Sequence, residues 1–256
     1  MALTINTNMS SLIVQKNLNA ATSMLNKSIE RMTTGYKINH AADNAAGYSI
    51  ATTWKTQLGS LDVASDNAST GADMLTTLED TYSLITSHLQ RVRDLTEQAA
   101  NGTYGSDSLK AIASEITARL EEIDRISANC EFNGLKMMDG SLTDDINLQV
   151  GLYSDAASRI ALDASLFQNG HVSALFKTFG GVGGATVAEV AKLCSGYDGK
   201  QITGGQNEML NKIDAVISEI SARTTTLGAA QNRIESAVES INVCLLYTSD
   251  AADDMQ

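Results

Sequence analysis

The sequence predicts a mainly α protein: an elongated antiparallel coiled-coil helical bundle with a small β-hairpin region at its tip. Three observations predict it. The 256 residues include no proline, where average usage near 5% would supply roughly 13, so the residue most damaging to helix interiors is missing. Two stretches far apart in the chain carry apolar residues at alternating three- and four-residue steps, the spacing of a coiled-coil seam. Between them the period falls to two over a short span, the mark of a half-buried strand.

Val14, Leu18, Ala21, Leu25, Ile29 and Met32 fall on one face and predict a first amphipathic helix, which Gly35 interrupts. Residues 36–45 lack a sustained stripe and read as a connector. From Ile50 the residues Trp54, Gln57, Leu61, Ala64, Ala68, Gly71, Leu75, Leu78, Tyr82, Ile85, Leu89, Val92, Thr96 and Ala99 keep a heptad until Asn101-Gly102 ends it. Trp54 lies on that stripe, so core packing explains it better than ligand stacking. A third helix over about Ser106–Cys130 carries Leu109, Ile112, Ile116, Leu120, Ile123 and Ile126, with Ser106 or Asp107 placed to cap it, and folds back antiparallel on the second.

After the Asn133-Gly134 turn, Ile146, Leu148, Val150 and Leu152 alternate with Asn147, Gln149 and Gly151 as a strand, and Ile160-Ala161-Leu162 suggests a second. Gly180-Gly181-Val182-Gly183-Gly184 reads as a loop; a phosphate-binding loop would need a following Lys and Ser or Thr. Leu210, Ile213, Ile217, Ile220, Thr224, Leu227, Gln231, Ile234, Val238 and Ile241 restore the heptad, so the amino and carboxyl parts should pair with each other.

A net charge of −12 without any Lys/Arg-rich run argues against nucleic acid as a partner. No apolar run approaches the roughly 20 residues that span a bilayer, and the amino end lacks the basic and apolar regions of a signal peptide. Cys130, Cys194 and Cys244 are too widely spaced to suggest a zinc site or a disulfide framework. His40, His88 and His171 are scattered, and Glu121-Glu122 with Asp124 and Arg125 form a solvated helical face. These residues supply no catalytic, metal or cofactor site, so the chain reads as a structural protein and not an enzyme.

Ser28-Ile29-Glu30-Arg31-Met32-Thr33-Thr34-Gly35-Tyr36-Lys37-Ile38-Asn39-His40-Ala41-Ala42-Asp43-Asn44-Ala45-Ala46-Gly47 closely resembles the amino-terminal signature of bacterial flagellins. Gln90 to Thr103, Arg119 to Ile126, Phe132 to Lys136 and Leu227 to Arg233 add to the resemblance, which covers about residues 1–160 and 205–243. His40 and Asn44 stand where the family more usually has Ser and Asp. The resemblance implies that residues 1–35 form the amino half of an inner core domain lining the filament channel. Residues 36–45 then connect to an outer core domain over 46–243, with 132–200 as its β and loop tip and no room for large variable outer domains.

The same resemblance implies an extracellular, self-assembling subunit of the flagellar filament, sent out by the flagellar export apparatus without a cleaved signal peptide. Its assembly seam would comprise Val14, Leu18, Leu25, Ile29, Met32, Leu78, Ile85, Leu89, Ile213, Ile220, Leu227 and Ile234. A hook-filament junction protein of related architecture is the alternative. Gln90 to Gln98 and the neighbouring helix are similar to the face sensed by the innate Toll-like receptor for flagellin. Arg91, Leu95 and Glu115 match its main contact positions and Gln90, Asp94 and Gln98 complete the patch, with Arg91 read as an exposed anchor beside Leu95.

Beyond Val243 the heptad stops, and Cys244-Leu245-Leu246-Tyr247-Thr248-Ser249-Asp250-Ala251-Ala252-Asp253-Asp254 resembles an in-frame translation of a transposon-type sequencing adapter. Residues 244–256 are therefore expected to be a foreign tail standing in place of a carboxyl helix that would pair with the helix at Val14 to Met32. The expectation that follows is an outer-core bundle with a loose amino helix, unable to form stable filaments.

Overall fold

A computed structural model describes residues 8–176, 186–197 and 206–255. The expected glycine loop at 180–184 lies outside the described residues, as does the amino end at 1–7. The chain divides into two compact units, residues 1–62 with 243–256, and residues 63–242.

The first unit holds α1 (Met9–Thr34). Asn8 starts it by accepting the Ser11 N–H at 3.1 Å, and Gly35 ends it at φ 76°, in the left-handed region that glycine enters without strain. The connector then leads into α2 (Ala45–Ala100). Asn44 Oδ1 accepts the Gly47 N–H at 3.1 Å, a helix-start bond that an Asp at this position would make equally well. The departure from the usual family residue therefore leaves the cap intact.

In the second unit α2 continues beside α3 (Ser106–Asn129) and α6, which spans Gln206–Met255 across both units. Side-chain contacts fix the directions. Arg91 meets Glu115 and Thr81 meets Cys130, so residue numbers fall on α2 as they rise on α3. Arg93 meets Asp214 and Glu79 meets Gln231, which sets α6 antiparallel to α2 in the same way. Every expected seam position of α2 from Leu61 to Ala99 is buried. The earlier positions depart from expectation: Ile50 is 42% exposed and Trp54 only half-buried. On α6, Ile213, Ile220, Leu227, Ile234 and Ile241, spaced by seven, are all buried. All six expected apolar residues of α3 are buried as well.

The α3 cap differs from expectation. Gly105 holds the cap position without a side-chain bond, and Asp107 lies inside the first turn, where a carboxylate complements the helix N-terminus. After α3, β1 (Glu131–Phe132) and β2 (Leu135–Lys136) form a minimal hairpin. Its two-residue turn places Asn133 at φ 49° and Gly134 at φ 82°, which is the reason for the Asn-Gly pair.

β3 (Ile146–Gln149) pairs antiparallel with β4 (Arg159–Leu162), Leu148 opposite Ile160. This hairpin lies against α2: Asn67 donates to the Gln149 carbonyl at 3.2 Å, and a Cβ on Gly71 would fall 2.3 Å from Leu148 Cδ1. The segment after β4 is pinned to the bundle by Tyr82, 1% exposed, whose hydroxyl donates to the Leu166 carbonyl at 2.8 Å. Burial pushes that phenol above its usual range.

The expected β and loop tip also contains helix. α4 (Val172–Leu175) is one turn, and α5 (Val187–Ser195) packs on α3. α5 starts with a full capping box between Thr186 and Glu189, and its buried Val190, Ala191 and Cys194 supply the apolar face. At the other end α6 does not stop at Val243 but runs on to Met255, with Leu246 and Tyr247 67% and 71% exposed.

Candidate interaction surfaces

The expected assembly residues separate into two physical classes. Leu78, Ile85, Leu89, Ile213 and Leu227 are 0% exposed and Ile220 and Ile234 are 1% exposed, so they form the interior of the second unit. On α1, by contrast, Val14, Leu18, Leu25, Ile29 and Met32 are 65%, 62%, 58%, 54% and 87% exposed. Their spacing is that of a helix-packing stripe, yet no residue of α1 is buried. Contiguous apolar surface of this kind marks an interaction site.

The other expected patch lies on the outer edge of α2 and α3. Arg91 Nε donates to Glu115 Oε1 at 2.9 Å, and the guanidinium and carboxylate side chains are 47% and 38% exposed. The hydrogen bond and the attraction to Glu115 hold the Arg91 guanidinium above its ordinary range. Arg119 approaches the same carboxylate oxygen at 3.9 Å, and Arg125 forks onto Glu122 one turn further along α3. Gln90, Asp94 and Gln98 are exposed at four-residue steps on α2.

Leu95 does not belong to this exposed face. It is 1% exposed and packs inward with Val92, Thr96 and Ala99, because α2 is covered by more than one helix and its buried arc is wider than a single heptad line. Of the expected patch, Arg91 and Glu115 therefore face solvent while Leu95 lies in the packing behind them. Tyr104, absent from the expected patch, belongs beside it: Gln98 donates its amide to the Tyr104 hydroxyl at 3.0 Å.

The polar residues considered for chemistry are dispersed. His40 Nε2 lies 2.8 Å from Glu30, and His171 Nδ1 lies 3.4 Å from Asp124, whose carboxylate also accepts the Val172 N–H at 2.7 Å. His88 is held below its ordinary range first by burial and then by the nearby Arg119. Among the described residues no group of three His, Cys, Asp or Glu side chains could hold a metal ion, and no helix is long and apolar enough to cross a membrane. Cys130 and Cys194 are buried thiols and Cys244 is an exposed one. Burial pushes the Cys194 thiol up to about 12.

An uncovered apolar helix in the first unit, and a closed heptad core with a charged, solvent-facing edge in the second, suit association with other proteins. Comparisons with known proteins agree. Residues 5–143 match the family of the bacterial flagellin N-terminal helical region. The flagellin of Salmonella montevideo is 40% identical over 255 residues, covering 99% of this chain, which spans 44% of that relative's length. Among solved structures, Bacillus cereus flagellin aligns with a TM-score of 0.52 at 24% identity, over 69% of this chain and 88% of its own. A protein of Vibrio parahaemolyticus described as flagellar hook-associated aligns with a TM-score of 0.68 at 14% identity, over 84% of this chain and all of its own. Those two likenesses carry the fold, and the sequence matches carry the lineage: the chain belongs to the bacterial flagellin family.

Proposed function

We propose that the chain is a structural subunit of the bacterial flagellar filament, delivered outside the cell by the flagellar export apparatus and joined to other flagellin subunits. The observation that carries this reading is the α1 stripe, whose five named residues are each more than half exposed while the equivalent seams of the second unit are closed. Covering apolar area of this kind contributes about 25 cal/mol per Å², which helix pairing in an assembled filament would supply. The role is structural rather than catalytic. The fold is shared with a hook-associated protein, but 40% identity to a Salmonella flagellin across almost the whole chain favours the filament over the hook-filament junction.

Two finer statements belong to the same reading. With the α1 stripe uncovered, the chain on its own does not grow long filaments, though it adds to the ends of preformed ones. The edge formed by Gln90, Arg91, Asp94, Gln98 and Glu115 is the ligand face for the innate Toll-like receptor of flagellin, with Arg91 at its centre. Electron microscopy and sedimentation of the purified chain, with and without sheared seeds of a full-length flagellin, test the assembly reading. Incorporation into seeded pellets without filaments in the unseeded sample is the expected result. Failure to enter the seeded pellet would overturn the subunit assignment, and long filaments without seeds would overturn the assembly defect.

A further inference from the structure

On α1 the cations Lys27 and Arg31 each follow a stripe residue, Leu25 and Ile29, by two positions. At about 100° per residue Lys27 stands about 160° and Arg31 about 120° round the helix from the mean direction of the apolar stripe. Both converge on one carboxylate in the connector: Lys27 Nζ lies 2.6 Å and Arg31 Nη2 3.8 Å from Asp43 Oδ1. The Asp43 N–H donates to the His40 carbonyl at 2.9 Å, closing a turn, and its Oδ2 accepts the His40 N–H at 3.4 Å. The His40 ring meets Glu30 of α1 at 2.8 Å, a second attachment. The Asp43 side chain is 5% exposed while those of Lys27 and Arg31 are 54% and 44% exposed. A carboxylate this shielded is tolerable only where its charge is compensated, so the connector is committed to the arrangement that supplies both cations.

We propose that Asp43 is a positioning residue for assembly: by gripping the polar face of α1 it fixes the rotation of that helix against the connector, so that the stripe of Val14, Leu18, Leu25, Ile29 and Met32 is presented at a set angle to the helix that covers it in a filament. The inference rests on the filament-subunit reading for its purpose; the grip itself does not. Without Asp43 the helix would be joined to the connector through Gly35, the bond from the Tyr36 N–H to Thr34 Oγ1 at 3.3 Å and the exposed His40–Glu30 contact, all close to the helix end or at the surface.

The test uses the full chain in a Cys244→Ser background, spin-labelled through Ser23→Cys on α1 and Thr56→Cys on α2. Both positions are exposed. Pulsed electron-spin distance measurement should give one narrow distribution, broadened at least twofold by Asp43→Asn and narrowed again by the charge swap Lys27→Asp with Asp43→Lys. Unchanged circular dichroism in each variant separates loss of the grip from unfolding. Seeded incorporation is the second arm, expected to fall about tenfold in Asp43→Asn and to recover in the swap. An unaltered distance distribution in Asp43→Asn overturns the grip. A broadened distribution with unaltered incorporation overturns its purpose, and a parent chain that never incorporates overturns the subunit reading while the distance arm still judges the grip.

Discussion

Arg91 on α2 and Glu115 on α3 are joined by two 2.9 Å contacts, from Nε and Nη2, to a single carboxylate oxygen. The pair ties two helices together at their solvent-facing edge and leaves the second oxygen of Glu115 and the outer face of the guanidinium available. An exposed ion pair of this kind contributes little to folding. An arginine held in place by a neighbour is well suited to anchor a partner. Arg91→Ala should therefore lower affinity for the flagellin-sensing Toll-like receptor ectodomain at least tenfold while helicity and the thermal midpoint stay close to the parent values. Surface plasmon resonance beside thermal circular dichroism checks both. A midpoint that falls in step with affinity would make the residue structural instead.

Leu89 and Leu25 are the same residue type on helical stripes, one 0% exposed and the other 58% exposed. Leu89→Ala removes methylenes from a closed core and should destabilise the second unit by about 2–5 kcal/mol in urea titrations. Leu25→Ala changes a surface position and should stay within about 0.5 kcal/mol, yet it should reduce seeded incorporation. Unaltered incorporation of Leu25→Ala would show that the α1 stripe takes no part in assembly.

The heptads made most of this fold legible, because a repeat of three and four encodes burial locally and needs no knowledge of the partner. The β3–β4 hairpin was legible for the same reason, with a period of two. What escaped were features set by tertiary context. Leu95 is one step off the heptad line through Val92, Thr96 and Ala99, and only the presence of a second covering helix buries it. α5 is nine residues long and too short for a periodicity argument to single out, although Thr186 and Glu189 at capping-box spacing and Gly196 beyond its end were signals in plain view. The grip of Asp43 on Lys27 and Arg31 spans a turn whose geometry no repeat describes.

Two helical glycines should respond in opposite directions to the same change. A Cβ on Gly71 would fall 2.3 Å from Leu148 Cδ1, closer than real contacts allow, so Gly71→Ala must displace the Leu148 side chain from its seat on α2 and should destabilise the unit by about 1–3 kcal/mol. At Gly228 on α6 a Cβ meets nothing within 4 Å. Gly228→Ala should stabilise by about 0.5–1 kcal/mol, chiefly by restricting the unfolded chain. Urea midpoints of the two variants, compared with the parent at constant slope, decide the matter.

The three thiols should separate by reactivity and by pH. Cys244 is exposed, and Cys130 and Cys194 are buried, so a water-soluble disulfide reagent at neutral pH should titrate one thiol per folded chain and three after unfolding. Cys194 has its thiol pushed from 9.0 to about 12 by burial, which means that the folded state retains a proton the unfolded chain loses. Its contribution is therefore fully present below pH 9 and is lost progressively as pH rises from there toward 12. The associated slope is about 1.4 kcal/mol per pH unit for one proton. Tyr82 and Cys130 are shifted upward by burial too and steepen the alkaline limb in the parent. Cys194→Ala should flatten that limb by roughly one proton's worth while lowering stability at neutral pH through the cavity it leaves. Urea titrations of parent and variant between pH 7 and about 10.5 measure the difference; equal slopes would mean that Cys194 is reached by solvent and ionises freely in the folded chain.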